Sequence, residues 1–150
     1  KMQPLLNKDE LIILVGLNEK QIEELPEGVI GIQRTSDIQE LIALYSRAEC
    51  YMNLTHADSY PTTIMEAMAC GTPVITYATG GCSEMVEKSD ISTTVKKEDY
   101  SAALKKFRHI LNTTSAEDRA NKSRNHALLY FNDEQQKAAY KKLYSKLKAK

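Results

Sequence analysis

The sequence predicts an α/β fold: a doubly wound, mainly parallel sheet flanked by helices, with extra helices at the carboxyl end. Three observations carry this. Short apolar runs at 11–16, 29–32, 50–54 and 74–77 alternate with segments of helical spacing, an order that requires parallel strands joined by right-handed crossovers. The run Leu11-Ile12-Ile13-Leu14-Val15 is apolar without alternation, as expected of a strand covered by helices on both faces. Gly16, Pro26, Gly71 and Pro73 stand at the ends of these runs or of the helices between them.

The elements follow in order. Lys1 to Glu10 is polar and weakly patterned. The first strand ends at Gly16, and Asn18 to Leu25 forms a short helix stopped at Pro26. Val29-Ile30-Gly31-Ile32 is the second strand. Ser36 and Gln39 have the spacing of a capping box. The helix they open carries Ile38, Leu41, Ile42, Tyr45 and Ala48 on one face to be buried. Cys50 to Leu54 is the third strand. A helix over 62–70 stops at Gly71, Pro73 cannot extend it, and Val74 to Tyr77 is the fourth strand. Thr79-Gly80-Gly81 makes a tight loop, Ser83 to Glu87 a single helical turn, and Ser92 to Val95 a short edge strand. Helices near 98–112, 115–130 and 133–148 follow. The last has Tyr140, Leu143, Tyr144 and Leu147 as its expected buried stripe, with Lys141, Lys142, Lys146, Lys148 and Lys150 as a solvated face.

At 150 residues the chain reads as one domain, 1–150, with room for a core. Acidic and basic residues balance at 20 each, so no global field recruits nucleic acid or an anionic membrane. No apolar run approaches the ~20 residues of a membrane span. Cys50, Cys70 and Cys82 show no CxxC spacing, a pattern of free buried thiols in a reducing cytoplasm rather than a disulfide framework or metal site. No histidine is placed beside a cysteine by a catalytic motif.

The chemistry concentrates between Asn53 and Thr76. An apolar strand leads into a polar loop, a short helix and a second strand, and the carboxylates Asp58 and Glu66 bracket the loop and the start of the helix. Ligands of open α/β sheets bind at the carboxyl ends of strands. There a helix amino end presents unpaired N–H groups and a positive dipole to phosphate. Two carboxylates beside that phosphate suit sugar hydroxyls, so the unit reads as a sugar-nucleotide site. Plainer readings stand beside this one. Thr63 and Glu66 also have capping-box spacing, Asp58 could stabilise a turn through its own backbone, and Gly80-Gly81 could serve only as a sharp turn. His56 reads as a solvated loop residue or a cleft residue, and His109 and His126 as structural.

The stretch Asp58-Ser59-Tyr60-Pro61-Thr62-Thr63-Ile64-Met65-Glu66-Ala67-Met68-Ala69-Cys70-Gly71-Thr72-Pro73-Val74-Ile75, continued by Thr79-Gly80-Gly81 and Glu84, closely resembles the donor half of glycosyltransferase family 4. Those are retaining enzymes of the GT-B fold that use a nucleotide-diphospho-sugar. The resemblance implies a Rossmann-like domain, one half of a GT-B fold, that binds UDP-sugar or GDP-sugar without a metal or other cofactor. It gives Glu66 the ribose hydroxyls and Asp58, where glutamate is usual, a place against the donor sugar and its phosphate. Tyr60, Thr62 and Thr63 fall in the segment whose amides cradle the diphosphate. Gly31, Ile32 and Arg34 fall where the base-binding backbone lies, and Gly80 and Gly81 near the donor cleft. Pro61 stands where glycine is common and donates nothing.

The same resemblance implies glycosyl transfer to a hydroxyl acceptor, a growing glycan or lipid-linked sugar, in polysaccharide or glycolipid biosynthesis. The expected setting is cytoplasmic, with peripheral contact at the inner face of the membrane through the terminal lysines. The family's basic phosphate-binding pair, in a first strand-helix unit, has no counterpart before Leu11. The chain is therefore expected to lack that unit and the acceptor domain, and to be inactive alone. A sugar-nucleotide epimerase or hydrolase of the same architecture, and a non-catalytic nucleotide-binding module, are the competing readings.

Overall fold

The structure, a computed structural model, describes residues 1–148. Its centre is β4 (Val74–Tyr77), in which every residue is buried. Strands β3 (Tyr51–Asn53) and β5 (Thr93–Val95) pair with it on either side, both parallel, in the order β3-β4-β5. Side chains of a strand alternate between faces. Val74 accordingly joins one core with Ile64, Ala67 and Met68 of α3 (Thr62–Ala69), Met85 and Val86 of α4 (Cys82–Val86), and Ala127 of α6 (Ala116–Tyr130). Ile75 and Tyr77 turn the other way, toward Ala103, Leu104 and Ile110 of α5 (Tyr100–Thr113). The result is three layers, helix on sheet on helix.

Local sequence sets the boundaries of these elements. Ser115 caps α6 through the Asp118 N–H, and Asp99 caps α5 through that of Ala102. Gly71 takes φ +91° after α3, a left-handed value that suits a glycine stop. Ser92 Oγ accepts from the Val74 N–H at 2.8 Å, and Thr76 Oγ1 donates to the Asn53 carbonyl at 2.9 Å. Buried polar groups at the sheet are thus partnered.

A second sheet holds only β1 (Ile12–Leu17) and β2 (Val29–Gln33), also parallel, joined by α1 (Glu19–Glu23). The expectation that Leu11 to Val15 is covered on both faces is not met. Leu11, Ile13, Leu14 and Val15 are exposed, because among the described residues β1 pairs with β2 alone. Gly16 does not end the strand either: with φ +94° it forms an irregularity inside it, where pairing shifts between Val15 and Leu17. In α2 (Ile38–Arg47) the cap is Asp37, not Ser36, its carboxylate accepting from the Gln39 N–H at 2.8 Å. Only Tyr45 of the expected apolar face is buried, while Ile38 and Ile42 are exposed. No described residue of α7 (Asp133–Lys148) is buried; Tyr140, Leu143, Tyr144 and Leu147 all face solvent, and Lys150 lies outside the described residues.

One ion pair ties the amino-terminal segment to the larger unit. Arg108 of α5 donates from Nε and one terminal nitrogen to the Glu10 carboxylate at 2.8 and 2.7 Å, and to the Leu5 carbonyl at 2.8 Å. The hydrogen bond from Arg108 holds the Glu10 carboxyl below its ordinary value of 4.5, against the opposing effect of burial. A carboxyl whose folded value is depressed adds stability above its unfolded value and loses it as pH falls through the folded one. Urea midpoints measured from pH 7 to pH 3 should therefore fall less for Glu10→Gln than for the unchanged protein. In the core, Ile64→Ala is expected to cost about 2–5 kcal/mol by opening a cavity. Ile38→Ala, on an exposed position, should stay within about 0.5 kcal/mol, and urea denaturation reads both.

Candidate functional site

The site is built where β3 and β4 deliver their following loops to one end of the sheet. Asn53 Oδ1 accepts from the Thr55 N–H at 3.2 Å and turns the chain out of β3. Thr79 Oγ1, after β4, donates to the Thr55 carbonyl at 3.2 Å. The Gly81 N–H donates to the Asp58 carbonyl at 3.2 Å. A methyl group on Gly80 would stand 2.1 Å from the Asp58 carbonyl oxygen, and one on Gly81 1.8 Å from that of Ser59. Gly80-Gly81 is therefore neither a bare turn nor an isolated cleft lining: it lets two loops lie backbone against backbone.

Held this way, Asp58 folds its carboxylate back onto the Tyr60 N–H at 3.0 Å. The turn reading of Asp58 is thus correct, and it leaves Oδ2 with no protein partner among the described residues. Pro61 follows as the N-cap of α3 and is buried, with no side-chain hydrogen bond at the cap. Thr63 is consequently not a cap, and the capping-box reading of Thr63 and Glu66 fails. The Ile64 N–H bonds the Pro61 carbonyl at 3.2 Å. Those of Thr62 and Thr63 have no protein acceptor among the described residues. Thr62 and Tyr60 are exposed, Thr63 half-buried, and Glu66 is exposed one turn along the same helix. A helix amino end with free N–H groups is a seat for an anion, and Glu66 borders it.

Beneath this turn lie two phenols that sequence reasoning did not assign to the site. The Tyr45 hydroxyl donates to Glu66 Oε2 at 3.4 Å, and its ring meets that of Tyr51 edge-on with centroids 5.4 Å apart. Burial, then the neighbouring Tyr51 and Glu66, push the Tyr45 phenol well above its usual 10. Burial also raises that of Tyr51, whose hydroxyl feels Glu66 and Asp58 as well. Tyr45 was legible only as an apolar helix position; the signal passed over is that a buried phenol needs a partner.

The other sequence candidates lie elsewhere. Gly31 sits in β2 under α1, where a methyl group would come within 2.7 Å of Leu25 and 2.8 Å of Ile22, so packing accounts for the glycine. Ile32 is half-buried beside it. Arg34 is exposed and borders an open cleft of about 550 Å³ with Leu17, Asn18, Glu19, Lys20 and Gln33, at the carboxyl ends of β1 and β2. That cleft shares no lining residue with the α3 turn. His56 is exposed and lies 3.6 Å from Glu98. His109 is exposed on α5, whereas His126 is buried with Nε2 2.8 Å from the Met85 carbonyl, a structural role. Cys82 is buried, and Cys50 and Cys70 are half-buried. Burial pushes the Cys50 thiol up to about 12 and raises that of Cys70, the opposite of an activated nucleophile. No cluster of three or more metal-ligating side chains occurs among the described residues.

The profile of the family described as "Glycosyl transferases group 1" matches residues 6–127, which contain the whole of this site. The chain belongs to the group 1 glycosyl transferases. Solved structures agree on the fold. Sucrose-phosphate synthase from Thermosynechococcus elongatus superposes with a TM-score of 0.73 at 22% identity, over 98% of this chain and 48% of that one. Anabaena HepE in complex with UDP-glucose gives 0.74 at 20% identity, over 96% and 43%. TarM gives 0.73 at 14% identity, over 92% and 29%. The glycosyl transferase chain described here thus spans less than half the length of each of these neighbours. A comparison with curated proteins finds no match.

Gly81→Ala is expected to push the 57–61 loop off its seat and to cost about 1–3 kcal/mol through overpacking. The amide NMR signals of Asp58 to Tyr60 should shift well beyond those of a surface substitution such as Ala78→Ser; unchanged signals would contradict the contact.

Proposed function

We propose that this chain is the donor-binding domain of a retaining glycosyltransferase, which moves a sugar from a UDP- or GDP-sugar to a hydroxyl acceptor. The observation that carries the reading is the open first turn of α3, where two N–H groups are unpartnered and Glu66 is exposed one turn along. The diphosphate rests on the amides of Thr62 and Thr63, and Glu66 accepts from the ribose hydroxyls. Asp58 faces the sugar with the carboxylate oxygen its turn leaves free. As the glycosidic C–O bond breaks, negative charge gathers on the distal phosphate, and fixed amides with the helix dipole lower the barrier there. Positive charge on the departing sugar is favoured by a nearby carboxylate. The phosphate is neutralised by amides and basic side chains rather than by a metal.

The base would extend toward the cleft bordered by Arg34 and Lys20, at the carboxyl ends of β1 and β2. Membership of the group 1 family and the UDP-glucose bound by HepE support a nucleotide-sugar donor. The acceptor, a growing glycan or lipid-linked sugar in polysaccharide or glycolipid assembly, is met through a further domain. The work is cytoplasmic. The lysines and exposed apolar stripe of α7 favour a peripheral meeting with an anionic membrane surface.

Titration calorimetry with UDP and GDP tests the reading. Glu66→Ala should weaken binding about 10- to 100-fold through the loss of charge-assisted hydrogen bonds to the ribose, with an unchanged circular dichroism spectrum. An affinity untouched by this change would remove Glu66, and the site with it.

A further inference from the structure

We infer that Tyr45 is a positioning residue for nucleotide recognition: its buried phenol, bonded to Glu66 Oε2, holds the carboxylate in the orientation that receives the two ribose hydroxyls. The inference rests on the donor-binding reading above and adds to it a group that never touches the ligand.

Glu66 is exposed on α3 and makes no salt bridge among the described residues. A free glutamate side chain loses rotamer entropy when it is fixed, and a diol demands a fixed carboxylate with both oxygens in reach. The Tyr45 hydroxyl, 3.4 Å from Oε2, is the one side-chain group in the described structure that donates to Glu66. It uses a single lone pair of Oε2 and leaves Oε1 open, so that each oxygen still accepts from one hydroxyl.

Tyr45 is itself held from three directions. Its carbonyl accepts from Thr72 Oγ1 at 2.5 Å, and Thr72 is almost wholly buried in the turn between α3 and β4. Its ring stands edge-on against Tyr51. Its helix, α2, reaches the core through Tyr45, with Leu41 packed alongside it. The orientation of Glu66 is thereby referred to the sheet through a rigid aromatic pair rather than to solvent. Burial keeps the phenol protonated well past neutral pH, so the donor is present under physiological conditions. The Cys-Gly-Thr-Pro stretch gains a purpose in the same way: Thr72 is more than a turn residue because it anchors the backbone that carries the phenol.

The plain alternative is that a buried phenol merely takes the nearest acceptor for its own satisfaction. Calorimetry at the natural length of the protein separates the two. Tyr45→Phe, which keeps the ring and its packing, should weaken UDP binding about 3- to 10-fold and leave the affinity for 2′,3′-dideoxyuridine diphosphate unchanged. In a Glu66→Ala background the same substitution should have no further effect on UDP. Thr72→Val should reproduce the ribose-selective loss in a weaker form, which keeps the idea exposed if Tyr45→Phe folds poorly. Equal weakening of both ligands, or full UDP affinity in Tyr45→Phe, overturns the positioning role while Glu66 still stands. Failure of the unchanged protein to bind UDP or GDP overturns the donor reading itself, and with it this inference.

Discussion

Two loops meet here through bare backbone, and the arrangement of the site depends on that contact. At Gly80 and Gly81 there is no room for a methyl group against the carbonyls of Asp58 and Ser59. Gly80 also takes φ +49°, a value that a side chain makes costly. The contact fixes the Asp58 carbonyl, the Asp58 carboxylate then closes its turn on the Tyr60 N–H, and that turn delivers Pro61 into its buried seat. The direction of α3 follows from where Pro61 is placed. Lifting the first loop by the width of one methyl group would move the two free amides and Glu66 together. The glycine pair sits on a different strand's loop from the carboxylates, yet it sets their positions.

A helix start with no cap is a local loss, since a side-chain cap is worth about 1 kcal/mol. The protein tolerates it because α3 does not rely on its own ends. Ile64, Ala67 and Met68 are fully buried against Val74, Met85 and α6, and short helices take most of their stability from such packing. The buried side holds α3 in place, and the exposed side is free to leave N–H groups and a carboxylate open to a ligand. That division matches the usual separation of a rigid scaffold from the loops and helix ends that bind.

Much of this was readable from the residues. β4 and α3 are found within a residue of their expected limits, because a continuous apolar run between Pro73 and a glycine loop, and a Gly71 stop, leave few choices. Two acids around one helix start drew the candidate site to α3, whose start carries no side-chain cap. What was not legible concerns partners distant in sequence. Nothing near Gly81 announces that Ser59 lies against it. Tyr45 looked like one apolar position among five, because periodicity reports a face without saying which residue on it meets a polar group. Ser36 and Asp37 are both good caps, and only the backbone geometry chose Asp37. The apolar runs of β1 and α7 pointed to burial, but hydrophobicity records what a segment favours and not what is beside it.

The exposed apolar residues are not spread evenly. One group lies on β1, β2 and α2 and another on the end of α6 and on α7, while the unit built on β4 is closed on both faces. The two chemical candidates divide along the same line. The α3 turn belongs to the closed unit, with its geometry fixed by core packing and paired backbone. The Arg34 cleft belongs to the β1–β2 sheet, and two parallel strands alone are a marginal structure in water. Its attachment to the rest runs through Glu10, Leu5 and Arg108, with Met2, Leu6 and Ile12 added to the second core. A ligand spanning both places would therefore meet one rigid wall and one that depends on a few contacts. Contacts with the first wall would be set by core packing, whereas the fit at the second would depend on how firmly that wall is held.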